Sequence, residues 1–191
     1  MLAFMAARDF ATAISAHSAS NVWIQPWGYD TNAPLANQAR YDEIANAAAP
    51  SGWGVGTGVE TLGYSANGVT NDTDEGDFGT YSWTPEIGST SDSFWPIPDR
   101  IIPLAEEVLP GFVGTVHAAG AWLRVLGVSE AEQGDGDGFV EAGETLALSV
   151  DLRNSGLAAT GTPVSLALTT SSPFASVVDG SELLGAVAPF T

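Results

Sequence analysis

Leu2, Phe4, Met5 and Phe10 fall on one side of a helical projection, so residues 2–8 read as the tail of a helix. Residues 11–16 read as a small-residue strand, and residues 22–25 as a second, apolar strand that Pro26 ends. Residues 29–38 carry no period and are expected to be loop, whereas residues 39–49 are Ala-rich enough for a helix that stops before Pro50. Gly, Asn, Asp and Thr crowd residues 51–77, which read as one long loop. Loops of that length inside a compact domain are usually functional lids or disordered. Residues 80–84 have strand chemistry, and residues 104–109 and 112–125 read as two helices separated by Pro110-Gly111.

The period changes at Gly127. Leu146, Leu148, Val150 and Leu152 alternate with Ala147, Ser149, Asp151 and Arg153, the signature of a strand with one buried face. Asn154-Ser155-Gly156 reads as the turn that ends it. Val164, Leu166 and Leu168 repeat the alternation, and residues 176–178 and 183–187 read as further strands. Short strands at such spacing suggest a β-sandwich. Such a fold takes about 100 residues, more than residues 128–191 supply. The expected organisation is therefore an α/β domain over residues 1–127 and a truncated β-sandwich over residues 128–191, whose opening, Asp135-Gly136-Asp137-Gly138 with Gly143-Glu144-Thr145, resembles that of Ig-like accessory domains.

Composition narrows the partners. The chain has 23 acidic residues against five arginines, no lysine and a formal net charge of −18. Nucleic acid and anionic membranes select basic surfaces, so neither is an expected partner. Solubility is the simplest account of the acidity, and a salt-adapted or calcium-rich extracellular setting is the sharper one. The absence of cysteine removes disulfides and thiolate chemistry. No apolar run reaches the ~18 residues that a membrane span needs. Ile14-Ser15-Ala16 mimics a leader cleavage site, but Arg8 and Asp9 sit where an apolar core should be. The N-terminal segment thus reads as mature structure that begins abruptly.

Two histidines are present, His17 and His117, and a lone histidine is more often structural than catalytic. His17 is set apart by its place after a small-residue strand and before the polar turn Ser18-Ala19-Ser20-Asn21. Such a side chain points into the crevice at a strand's carboxyl edge, where ligand sites of open α/β sheets lie. Glu86, in Tyr81-Ser82-Trp83-Thr84-Pro85-Glu86-Ile87-Gly88, stands between apolar neighbours. Burying a carboxylate there raises its pKa toward general-base duty, although a satisfied structural glutamate is the commoner explanation for one residue alone.

Order and spacing add a resemblance. His17-Ser18-Ala19-Ser20 is followed by Pro26-Trp27-Gly28-Tyr29, then by Gly63-Tyr64 with Gly68 a few residues on. Thr84-Pro85-Glu86-Ile87-Gly88 and Ile101-Ile102-Pro103-Leu104-Ala105-Glu106-Glu107 complete the series. In this order the five pieces resemble the zinc metallocarboxypeptidase family over residues 14–107, matching the C-terminal half of its catalytic domain. The resemblance implies a mixed sheet with helices and a zinc-dependent peptidase acting on the C-terminus of a peptide or protein. It implies an extracellular or periplasmic bacterial location, the leader being lost with the N-terminal part. His17 matches a zinc ligand, Glu86 the general base and later acid, and Tyr64 the mobile tyrosine that closes over the substrate carboxylate. Asn71 falls near the base of the specificity pocket. The acidic residues Asp72, Asp74, Glu75 and Asp77 either favour a basic substrate side chain or form a solvated loop.

Departures from the family pattern accompany the matches. Ala19 stands where some members have tyrosine, and Asn71-Asp72-Thr73 where bacterial members often read Asp-Trp. The family's other two zinc ligands come from an upstream His-x-x-Glu, but Ser20 and Gly120 occupy the third position after the two histidines. A truncated or degenerate domain that scaffolds the sandwich is therefore a competing reading, and an amidase or deacylase of the same wider fold is a third. Finally, Asp135, Asp137, Glu141 and Glu144 lie in a Gly-rich acidic turn. It is not an EF-hand loop, because Phe139 and Leu146 occupy ligand positions, but it leaves calcium binding open beside a solvated turn.

Overall fold

The computed structural model describes residues 2–30 and 32–191. Contacts divide the chain into Met1–Gly120 and Ala121–Thr191. The first unit begins with helix α1 (Leu2–Ala6), strand β1 (Thr12–Ile14), strand β2 (Val22–Ile24) and helix α2 (Gln38–Ala48). Strand β3 (Gly54–Gly56) follows, with helices α3 (Gly58–Leu62) and α4 (Thr70–Phe78). Strand β4 (Tyr81–Glu86) and the 21-residue helix α5 (Pro98–Ala118) complete it. The strands form one mixed sheet in the order β1-β4-β2-β3, with β4 parallel to β1 and antiparallel to β2. This α/β architecture with a mixed sheet agrees with the expected carboxypeptidase-type fold.

Side-chain alternation gives the sheet two unlike faces. Trp23 lies opposite Pro85 in the β2–β4 register, so Trp23, Pro85 and Trp83 share one face. Helices α2 and α5 cover it. The Trp83 ring lies 5.1 Å from that of Tyr41 on α2, and the Trp23 ring 6.2 Å from that of Phe112 on α5. Both tryptophans are fully buried. The opposite face presents Ile24 beside Thr84 and Val22 beside Glu86.

Two expectations for this unit are corrected. Residues 51–77 are not a loop, because they contain β3, α3 and α4. Thr57 and Glu60 form a reciprocal capping box that starts α3, and left-handed Gly63 stops it. The sequence of α4, TNDTDEGDF, is poor in helix formers. Tertiary hydrogen bonds from its carboxylates hold it in place. Asp72 accepts from the Gly28 and Tyr29 amides, Asp74 from Ser82 Oγ at 2.8 Å, and Glu75 from Tyr41 Oη at 2.8 Å. Asp72, Asp74 and Glu75 are thus built into the fold on a helix and do not form a solvated loop, while Asp77 is exposed.

Residues 104–125 are not two helices either. Helix α5 runs unbroken through Pro103 and Pro110, and residues 123–125 are already strand. Pro110-Gly111 serves close packing. A Cβ on Gly111 would meet the Ala48 carbonyl of α2 at 2.4 Å and the Trp23 ring at 3.0 Å. Only glycine lets the helices approach so closely.

Asp74 also sets a pH dependence. It is 3% exposed, and its Oδ1 has no hydrogen-bond partner. Burial pushes its carboxyl up from the usual 3.8, and the Ser82 hydroxyl only partly offsets this. The native state therefore holds the proton more tightly than the unfolded chain. Below 3.8 both states are protonated and Asp74 carries no charge penalty; above its raised native value the penalty stands in full. Asp74→Asn keeps an acceptor for Ser82 and removes the charge. The urea midpoint of the variant should change less between pH 4.5 and 7 than that of the parent protein.

The second unit is a β-strand region. Strand β5 (Leu123–Gln133) pairs antiparallel with β6 (Thr145–Asn154), and β7 (Ser165–Ala167) with β8 (Ser181–Leu183). Strand β5 runs through Gly127, where the sequence pattern changes. Residues 176–178, expected as strand, have none. Asn154 is the polar centre of the turn after β6. Its Oδ1 accepts from the Trp122 and Gly156 amides, and its Nδ2 donates to the Ala158 carbonyl at 2.8 Å.

Candidate functional site

The β1–β4 register continues past the end of β1. His17 N–H donates to the Pro85 carbonyl at 2.9 Å, Ile87 N–H donates to the His17 carbonyl at 2.9 Å, and His17 bridges Glu86 in parallel. Paired residues of neighbouring strands project to the same side of a sheet. His17 and Glu86, 69 positions apart in sequence, are therefore side by side, with Nδ1 3.5 Å from Oε1. His17 Nε2 lies 3.4 Å from Ser15 Oγ. The imidazole is 53% exposed and the carboxylate 12%. Burial pushes the Glu86 carboxyl up from its ordinary range, and the adjacent imidazole partly offsets the rise.

Both side chains open into a cavity of about 220 Å3. Tyr64 and Asn71 line the same cavity, so the four residues singled out from sequence meet at one place. Tyr64, just beyond the α3 cap, is 59% exposed. Asn71, on the first turn of α4, is 1% exposed, and its Nδ2 has no hydrogen-bond partner. Ile24, Leu62, Ala66 and Val69 make most of the remaining wall apolar, while Thr70 and Thr84 add hydroxyls.

The Pro26-Trp27-Gly28-Tyr29 segment draws the 63–72 segment onto the sheet. Gly28 N–H donates to Asp72 Oδ1 at 2.8 Å, and the Gly28 carbonyl accepts from Ala66 N–H at 2.8 Å. A Cβ on Gly28 would meet Val69 Cγ2 at 2.8 Å and the Ala66 carbonyl at 3.0 Å, so glycine is required there. Sequence reasoning missed this latch and the Asp74–Ser82 pair beneath it. The available signal was Gly28 inside an otherwise bulky segment, opposite an acidic stretch with no basic partner.

A family model described as zinc carboxypeptidase matches residues 1–111. The chain belongs to the zinc carboxypeptidase family. Among curated proteins no match was found. Family membership implies a hydrolase acting on peptides, with zinc as its metal. No described helix is long and apolar enough to cross a membrane.

The donors at His17 fall short of such a metal. Zinc in a peptidase takes three protein ligands and leaves a fourth position for water. Here one imidazole stands beside one carboxylate. Among the described residues, the groups of three or more candidate donors are Glu132/Asp135/Glu144 and Asp135/Asp137/Glu141, both in the acidic turn of the second unit. His17 and Glu86 therefore do not by themselves make a zinc site. His117 sits in the last turn of α5 and does not line the cavity. The acidic groups could hold a metal, and all-oxygen donors suit hard cations such as calcium. Their carboxylates already accept amides of the same turn, including Asp135, Gly136 and Glu141 N–H.

Proposed function

We propose that this chain supplies the proton-transfer and substrate-binding half of a peptidase site that removes the C-terminal residue of a peptide. The observation that carries this reading is the register pairing of His17 with Glu86 at the mouth of the cavity that Tyr64 and Asn71 also line. Glu86 takes the proton of the attacking water on its carboxylate and returns it to the nitrogen of the leaving amine. A partly buried carboxylate with a raised pKa is suited to that exchange. His17 contributes an exposed imidazole of the kind that binds zinc. Tyr64 stands exposed at the rim, free to close over a bound carboxylate. Asn71 faces the substrate side chain. The family resemblance supports an extracellular or periplasmic setting, and the turn Asp135-Gly136-Asp137-Gly138 with Gly143-Glu144-Thr145 before β6, which resembles the opening of Ig-like accessory domains of secreted bacterial enzymes, supports an accessory role for the second unit.

A second reading follows from the short donor set. Without two further ligands the 191-residue chain is catalytically silent and serves as a scaffold. Peptide assays separate these alternatives from an amidase. A zinc-loaded protein carrying residues 2–111 with a full donor set should release free amino acid from N-blocked dipeptides and spare the same dipeptides capped as C-terminal amides. Equal cleavage of both would overturn the carboxypeptidase reading in favour of an amidase.

A further inference from the structure

Asn67-Gly68 lies between the two points at which the segment after α3 is held to Gly28. On one side Ala66 N–H donates to the Gly28 carbonyl at 2.8 Å, and on the other Asp72 Oδ1 accepts from the Gly28 amide at 2.8 Å. Ala66 and Val69, which flank the pair, line the cavity. We propose that Asn67 is a self-modification site, whose carboxamide is lost to attack by the Gly68 amide and then water, and whose aspartyl and isoaspartyl products loosen this wall of the cavity. The chemistry belongs to the chain itself and holds whether or not the cavity is a peptidase site.

No added reagent is needed. Base removes the Gly68 amide proton, and the nitrogen attacks Asn67 Cγ with loss of ammonia, closing a cyclic succinimide. Water then opens the ring at either carbonyl. Opening at Cγ leaves aspartate, and opening at the residue 67 backbone carbonyl leaves isoaspartate, whose main chain runs through Cβ and Cγ. Asn67 is the one asparagine of the chain that a glycine follows, so no Cβ hinders the attacking nitrogen. Both residues are exposed in a bend outside any helix or strand, and a Cβ on Gly68 would meet nothing within 4 Å. Neither the Asn67 carboxamide nor the Gly68 amide has a hydrogen-bond partner among the described residues, so both groups are free to react. By contrast, Asn46 donates to the Asp42 carbonyl within α2, Asn71 is buried in α4, and Asn154 is tied into the turn after β6. Isoaspartate would lengthen the main chain between two anchors on one residue, where Val69 Cγ2 lies 2.8 Å from the place a Gly28 Cβ would take. Either product adds a negative charge beside a cavity that already holds Glu86, which disfavours an anionic ligand there.

The test incubates the full chain at 37 °C and pH 8 and follows each asparagine by peptide mass spectrometry, with electron-transfer fragmentation to separate the two products. Residue 67 should convert roughly tenfold faster than any other asparagine, because its attacking amide alone is unhindered, and more slowly at pH 6. In the 15N–1H spectrum the Gly28, Ala66 and Asp72 amides should take new positions as conversion proceeds, while Val108 in α5 stays. Asn67→Gln, which cannot close the same small ring, should keep its starting spectrum throughout. Conversion at residue 67 no faster than at Asn32 would overturn the site. Conversion that leaves the Gly28 and Asp72 amides in place would overturn its effect on the cavity wall.

Discussion

Replacing Glu86 with glutamine is expected to lower kcat by roughly 10³-fold while changing KM little, as removal of a general acid–base group does. The substitution is nearly isosteric. It keeps the backbone bonds that fix residue 86, including Asn21 N–H to the residue 86 carbonyl at 2.9 Å. What it removes is the carboxylate 3.5 Å from His17 Nδ1, the one carboxylate among the described residues that line the cavity. The assay is dipeptide hydrolysis by a zinc-loaded protein that carries these residues with a full donor set. A loss smaller than about tenfold would remove Glu86 from the chemistry. A rise in KM with unchanged kcat would assign it to substrate binding instead.

The largest stability effect is expected from Trp23→Ala. Trp23 is fully buried in β2, with the Trp53 and Phe112 rings 6.5 Å and 6.2 Å from its own. Its ring edge also closes on Gly111, the point where α5 comes nearest to α2. Truncation would empty the volume that three elements share, and collapse is blocked because the Ala48 carbonyl already crowds Gly111. A loss of about 3–5 kcal/mol is expected, a large share of a domain's usual ~5–15 kcal/mol. Urea unfolding followed by tryptophan fluorescence measures it. Trp23→Phe should cost much less, since the indole Nε1 has no partner to lose.

The sheet was legible in the sequence because its strands follow from local chemistry. Small residues before His17, the apolar run before Pro26 and the alternation through Trp83 each point to a strand. Their order also pointed to the family. The helices around the cavity were hidden for a physical reason. TNDTDEGDF has no helical stripe and weak propensity, and its helix rests on bonds to Gly28 and Tyr41, which lie far away in sequence, and to Ser82 on the next strand. Pro103 and Pro110 misled in the opposite direction. A long helix packed through Leu104, Val108 and Gly111 carries both prolines at exposed positions, away from its buried face.

The candidate site was legible to a similar degree. His17, Tyr64, Asn71 and Glu86 were named from motif order, and they line one cavity. The reason they meet was not visible. It depends on the β1–β4 register continuing to His17 and on the Asp72 latch to the Gly28 amide. The unpaired Nδ2 of Asn71 could not be foreseen at all, because burial of a single polar group in a Thr-Asn-Asp run has no sequence signature.

Zinc titration of the 191-residue chain by calorimetry tests the central claim most directly. His17 supplies one imidazole beside Glu86, the proposed base, and no third donor joins them among the described residues. Binding at this site should therefore be weak, tens of micromolar or poorer on the order expected for an incomplete ligand set. It should vanish in His17→Ala while persisting in variants of the acidic turn. Submicromolar one-to-one binding that disappears in His17→Ala would contradict the account, since it would require a complete metal site around His17.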